Sequence, residues 1–204
     1  MSTVRREDPV AAGLSLAEHV RALMPRLSAE LAELVAIPSI SELGYPESTR
    51  PALHEAHEAV VKLFRAAGCE YISSLELPDT APIITAQIPA PEGAPTVLLY
   101  SHYDVVAAGD KAEWESPAFQ PTERDGAIYG RGAADTKSNI VALAGALRAW
   151  DGRPPVGIKV VIEGQEEVGG GALTTYPPEN PELFAADVML IGDMGSVRGP
   201  ECLR

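Results

Sequence analysis

Six side chains could do chemistry together: His102, Asp104, Asp135, Glu166, Glu167 and Asp193, one imidazole and five carboxylates. Most sit where a short apolar run ends. Val97-Leu98-Leu99-Tyr100 runs into Ser101-His102-Tyr103-Asp104, and Val160-Val161-Ile162 into Glu163-Gly164-Gln165-Glu166-Glu167. Val188-Met189-Leu190-Ile191 leads to Gly192-Asp193, and Gly130-Arg131-Gly132 to Asp135. Ligands and bases at strand exits are what a metal-dependent hydrolase of α/β type needs.

Taken singly, each signal is ordinary. A His and an Asp two apart often just close a strand. If the strand geometry persists, though, they point to one side, and the carboxylate can accept the free imidazole N–H and present the other nitrogen to a metal. Adjacent Glu166 and Glu167 are usually solvated, but like charges a few Å apart repel, which suits one as a ligand and the other facing a water. Asp135 follows two glycines that permit backbone conformations closed to other residues, and Asp193 alone reads as a turn residue. Charge decides between the readings. Five converging carboxylates carry −5 beside a neutral imidazole, and two dications reduce this to −1. Such a pair lowers the pKa of a shared water toward ~7 and polarises a carbonyl, while one Glu takes the water's proton. Other constellations fail: there is no Gly-x-Ser-x-Gly elbow, and Gly130-x-Gly132-Ala-Ala-Asp135 matches neither a P-loop nor a dinucleotide fingerprint.

The 204 residues suffice for one domain with a core, or a domain plus a fragment. A hydrophobic content of 46% argues against wholesale disorder. The net charge of −13 speaks against a nucleic-acid partner, which needs Lys and Arg clusters. No stretch approaches the ~18 uninterrupted apolar residues of a membrane span, and residues 1–20 lack a signal-peptide apolar region. The expectation is a cytoplasmic protein without a membrane partner. Cys69 and Cys202 show no paired spacing and read as free thiols.

The elements that must position these groups follow from periodicity. Leu16, Val20, Leu23, Leu27, Leu31 and Leu34 recur at three- and four-residue steps, which predicts an amphipathic helix over 14–35 that Pro25 could kink. A second helix is expected over 51–67, stopped by Gly68. His54 and His57 could share a face of it, but no further ligand motif accompanies them, so a solvated or partly packed helix surface is the preferred reading. Strands are expected over 83–88, 96–100, 157–163 and 187–191, and a helix over 136–150. The long connection 105–128 carries Trp114, Pro117 and Phe119. A helical segment is expected to reach about residue 176. Strands alternating with helices predict a layered α/β/α domain, with a mixed sheet covered by helices on both faces. Ligands of such sheets bind at the carboxyl ends of the strands.

At this point the chain resembles the dinuclear zinc metallopeptidases that include carnosinases, cytosolic nonspecific dipeptidases, aminoacylase, acetylornithine deacetylase and glutamate carboxypeptidase. The matching stretches are residues 101–106, 114–119, 125–137, 163–167 and 191–193, in the family's order and spacing. The run is most similar to the dipeptidase branch. The resemblance implies that His102 and Asp193 hold one metal, Asp135 bridges and Glu167 holds the second. Asp104 would orient His102, Glu166 would be the general base, and the Asp135-Thr136 peptide would be cis. It implies two divalent cations, zinc first, with manganese or cobalt as alternatives. The implied substrate is a small peptide or N-acyl amino acid, and the full-length form would be a homodimer. The family's longer members carry an inserted lid domain and a later histidine ligand. Here His19, His54, His57 and His102 are the only histidines. The expected organisation is therefore a loose start over 1–12, the front part of a catalytic domain over 13–198 and a divergent tail over 199–204. The alternative is a non-catalytic metal-binding or interaction module derived from such a peptidase.

Overall fold

The computed structural model describes residues 15–193. The expected loose start, the tail 199–204 and Cys202 lie outside the described residues. Helix α1 (Leu16–Ala36) begins at a capping box, in which the Ser15 hydroxyl accepts from the Glu18 N–H and the Glu18 carboxylate accepts from the Ser15 N–H. Pro25 lies inside this helix, which continues on both sides of it. Helix α2 (Arg50–Ala66) is followed by Gly68 at φ +89°. Its His57 is buried and 2.9 Å from the Ser74 hydroxyl, and burial lowers its pKa. His54 pairs with the Tyr45 hydroxyl at 2.9 Å. Both imidazoles are thus engaged in local packing.

The strands are β1 (Glu70–Leu75), β2 (Ile83–Ile88), β3 (Thr96–His102), β4 (Thr122–Arg124), β5 (Ala127–Tyr129), β6 (Gly157–Glu163) and β7 (Val188–Ile191). The main sheet has the order β1-β2-β6-β3-β7. β2 runs antiparallel to both its neighbours, β1 and β6, while β6, β3 and β7 are parallel. This is the expected mixed sheet. β2 and β3 are consecutive in the chain, yet β6 lies between them. β4 and β5 form a separate hairpin at the end of the long connection expected over 105–128.

Successive residues of a strand alternate between the two faces. On one face Ile84, Leu99, Val160 and Ile162 join buried side chains of α1, α2 and α3 (Ser138–Ala149) in the larger core. On the other, Ile83, Leu98 and Val161 pack with Leu173 and Phe184. The covering there is made of short helical pieces, α4 (Tyr176–Glu179) and α5 (Pro181–Phe184), rather than one helix. Prolines at their starts cut the segment into single turns. Lys159, which interrupts the apolar run of β6, donates its ammonium to the Glu182 carbonyl and so holds α5 against the sheet.

Candidate metal centre

The parallel strands β3 and β6 end side by side, with His102 in register with Glu163. His102 is fully buried. Its Nδ1 lies 3.2 Å from Asp104 Oδ1 and 3.1 Å from the Asp104 carbonyl oxygen. The other nitrogen, Nε2, lies 3.3 Å from Asp135 Oδ1, 3.3 Å from Asp193 Oδ1 and 3.8 Å from Glu166 Oε2.

Asp104, also fully buried, joins the strand end to the Glu-Glu turn. Its Oδ1 accepts the Glu166 N–H and its Oδ2 the Glu167 N–H, each at 3.2 Å. Asp135 sits in the irregular turn Ala133–Lys137, entered through Gly132 at φ +81°. A Cβ at Gly132 would also lie 2.5 Å from Val105 Cγ1, so a side chain there is excluded on two counts. Gly130 serves differently: a Cβ there would meet Val35 Cγ1 at 2.4 Å. The Asp135-Thr136 peptide is cis. Thr136 Oγ1 donates to the Gly192 carbonyl at 2.8 Å, which brings the Asp135 turn beside Asp193.

These elements bring His102, Asp135 and Asp193 together, with one ligand atom from each within 4.8 Å of the others. Glu166 stands at the edge of this group. Glu167 is placed through its backbone bond to Asp104, and its carboxyl is raised in pKa by burial and then by the Asp135 charge.

The donor set fits a cation. Nε2 of His102 and Oδ1 of Asp193 are buried and have no hydrogen-bond partner among the described residues. An orphaned buried polar pair is costly unless something occupies the space between. Burial by itself disfavours charge on His102, but Asp104, through its hydrogen bond and charge, outweighs that, with help from Asp193 and Glu166. The pKa is drawn up to about 9. The cage therefore favours positive charge at Nε2, supplied by a proton or by a metal ion.

Three residues at the site had no role assigned from sequence. Glu163 accepts a hydrogen bond from the Tyr100 hydroxyl, and burial pushes its carboxyl up to about 7 against that bond. Its signal was its place at the end of β6. Lys137 is fully buried, with Nζ donating to the carbonyls of Leu34 and Ile37 at 2.8 and 2.7 Å. Burial draws its pKa down to about 7 while the Asp104 charge opposes the shift. Gln165, also buried, accepts from the Ala81 N–H and donates to the Glu42 carbonyl, which ties two loops to the Glu-Glu turn.

The domain is an α/β fold that gathers a histidine and two carboxylates at its parallel strand ends, a group able to hold a metal ion. Residues 98–198 match the peptidase family M20/M25/M40. The chain is 40% identical over 179 residues to a cysteinylglycine-S-conjugate dipeptidase of Corynebacterium striatum, covering 84% of this chain and 38% of that protein. It is 34% identical over 176 residues to a beta-Ala-His dipeptidase of Mus musculus, covering 80% of this chain and 36% of that protein. Human carnosine dipeptidase 1 superposes with a TM-score of 0.79 at 28% identity over 88% of this chain and 40% of its own. The chain belongs to the M20/M25/M40 peptidase family. It spans less than half the length of these relatives.

Proposed function

We propose that this chain carries the metal centre and general base of a dipeptidase-type hydrolase, which cleaves the amide bond of a dipeptide or an N-acyl amino acid. The observation that carries the reading is His102 Nε2, buried, unpartnered and equidistant from Asp135 and Asp193 oxygens at 3.3 Å. His102 and Asp193 would hold one divalent cation, Asp135 would bridge and Glu167 would hold the second; zinc suits the mixed nitrogen and oxygen donors, with manganese or cobalt as alternatives. When bound, the cations supply a Lewis acid for the substrate carbonyl and lower the pKa of a shared water.

The chain's own residues do the rest. The Asp104 carbonyl oxygen accepts the Nδ1–H of His102 at 3.1 Å, with the Asp104 carboxylate 3.2 Å away, which fixes the tautomer and leaves the Nε2 lone pair facing the cage. The same carboxylate accepts the N–H of Glu166 and so sets where the base stands. The Glu166 side chain is 38% exposed, and it would take the water's proton and return it to the departing amine. The relatives' names, a cysteinylglycine-S-conjugate dipeptidase and a beta-Ala-His dipeptidase, support a dipeptide as substrate.

The test is metal content and turnover on the same preparation. Protein loaded with Zn²⁺ or Mn²⁺ is assayed for bound metal per chain and for hydrolysis of Cys-Gly and β-Ala-His. Glu166→Gln should keep its metal and lose on the order of 10²-fold or more in rate. A variant as fast as the parent, or a parent that takes up no metal, refutes the reading. Metal uptake without turnover favours the non-catalytic metal-binding module.

A further inference from the structure

We propose that Lys137 is a positioning residue of the metal centre, a buried amine that ties the Asp135 turn to the C-terminus of α1. The inference rests on the metal-centre reading above and concerns a residue to which that reading gives no part.

The Asp135 side chain is 69% exposed, so its aim is set by the backbone of the turn that carries it. That turn is held at three points. The Lys137 N–H closes it onto the Gly132 carbonyl at 3.0 Å, Thr136 ties it to Gly192, and the Lys137 ammonium crosses to Leu34 and Ile37. The last anchor is shared with the rest of the site. Two residues past Ile37, the Ser39 carbonyl accepts the Val105 N–H at 3.0 Å and the Ser39 hydroxyl donates to the Tyr103 carbonyl at 2.7 Å. The segment that Lys137 grips is therefore the one to which the His102–Val105 run is pinned. Asp135 and His102 are set relative to each other through it.

Plain packing does not require a lysine here. The Leu34 carbonyl already accepts the Ile37 N–H at 3.1 Å, and the Ile37 carbonyl the Ser39 N–H at 2.9 Å. Neither acceptor would be orphaned by an apolar side chain of similar length. A buried ammonium with two neutral acceptors is costly by comparison. The Asp104 charge favours its protonated form. The C-terminal end of α1 adds a favourable negative pole for the ammonium.

The experiment compares the parent protein with Lys137→Met and Lys137→Gln by circular dichroism, metal-free melting, and Co²⁺ titration read by visible absorption and chelator competition. Metal-free variants should remain folded. Both should bind Co²⁺ at least about tenfold more weakly, the range lost when a partner behind a metal ligand is removed, with an altered cobalt absorption band. Unchanged affinity and band shape in both variants overturn the proposal, whatever the melting temperature does. Failure of both to fold without metal also overturns it, by assigning Lys137 to the core. A parent protein that takes up no Co²⁺ refutes the metal-centre reading itself, an outcome distinct from the other two.

Discussion

Proton and metal compete for His102 Nε2, and the structure sets the terms. With a pKa of about 9 in the metal-free protein, roughly 1% of the imidazole is neutral at pH 7 and about 10% at pH 8. Metal binding needs the neutral form, so apparent affinity should rise about tenfold between pH 7 and pH 8. A histidine near the unperturbed value of ~6.5 would change affinity by less than about 1.5-fold over that range. The assay is a Zn²⁺ or Co²⁺ titration at several pH values, repeated in buffers of different ionisation enthalpy to count protons released. Close to one proton per bound ion is expected from His102 at pH 7.5. Glu163 also titrates near 7, so the slope should be verified in Glu163→Gln, where it should persist. The same proton gives the metal-free protein a stability that runs the opposite way with pH. The folded pKa lies above the unfolded one, so the contribution is fully present below pH ~6.5 and lost as pH rises through about 9. Lys137, whose pKa is drawn down to about 7, contributes the opposite slope above pH 7; in Lys137→Met, where that slope is gone, the metal-free melting temperature should fall across the window, and the metal-loaded variant should lack this decline. A flat affinity from pH 7 to 8 with no proton release would refute the carboxylate cage around Nε2.

Two further perturbations test the scaffold. A Cβ at Gly164 would stand 2.3 Å from Tyr103 Cζ, and that ring is fully buried with its hydroxyl donating to the Pro82 carbonyl at 2.7 Å. Gly164→Ala should cost about 1–3 kcal/mol, read as a lower urea midpoint at unchanged slope; an unshifted midpoint would contradict the packing. Strand β7 leaves Val188, Met189, Leu190 and Ile191 each about half exposed at the sheet edge. A charge there should suppress edge-to-edge pairing, so Leu190→Lys should reduce concentration-dependent association in sedimentation velocity. Equal association by both proteins would show that β7 is not the sticky surface.

Local pattern reached the buried strands and the long helices, because there one or both faces must be apolar. β2 and β6 coincide with the runs 83–88 and 157–163, and α1 with the heptad-like leucines. β1 escaped because Glu-Tyr-Ile-Ser-Ser-Leu lies on a largely exposed edge and carries no core signal. β4 and β5 escaped because three residues are too few for a period to show. The expectation that His102 and Asp104 share a side follows from strand alternation alone, and their 3.2 Å approach agrees with it. His57, read from sequence as a solvated or partly packed helix position, is buried by tertiary packing beside Ser74.

Which residue types could bind cations and move protons was written in the chain, since carboxylates and an imidazole at strand exits carry their chemistry wherever they go. Their convergence was not. Inserting β6 between β2 and β3, seating Asp104 under the Glu166-Glu167 amides and running Lys137 across to α1 are contacts between segments far apart in the chain, 62 and 63 residues for the Asp104 bonds and 100 and 103 for those of Lys137. Such contacts depend on how layers pack and which backbone groups they bring within reach, and no local periodicity encodes that.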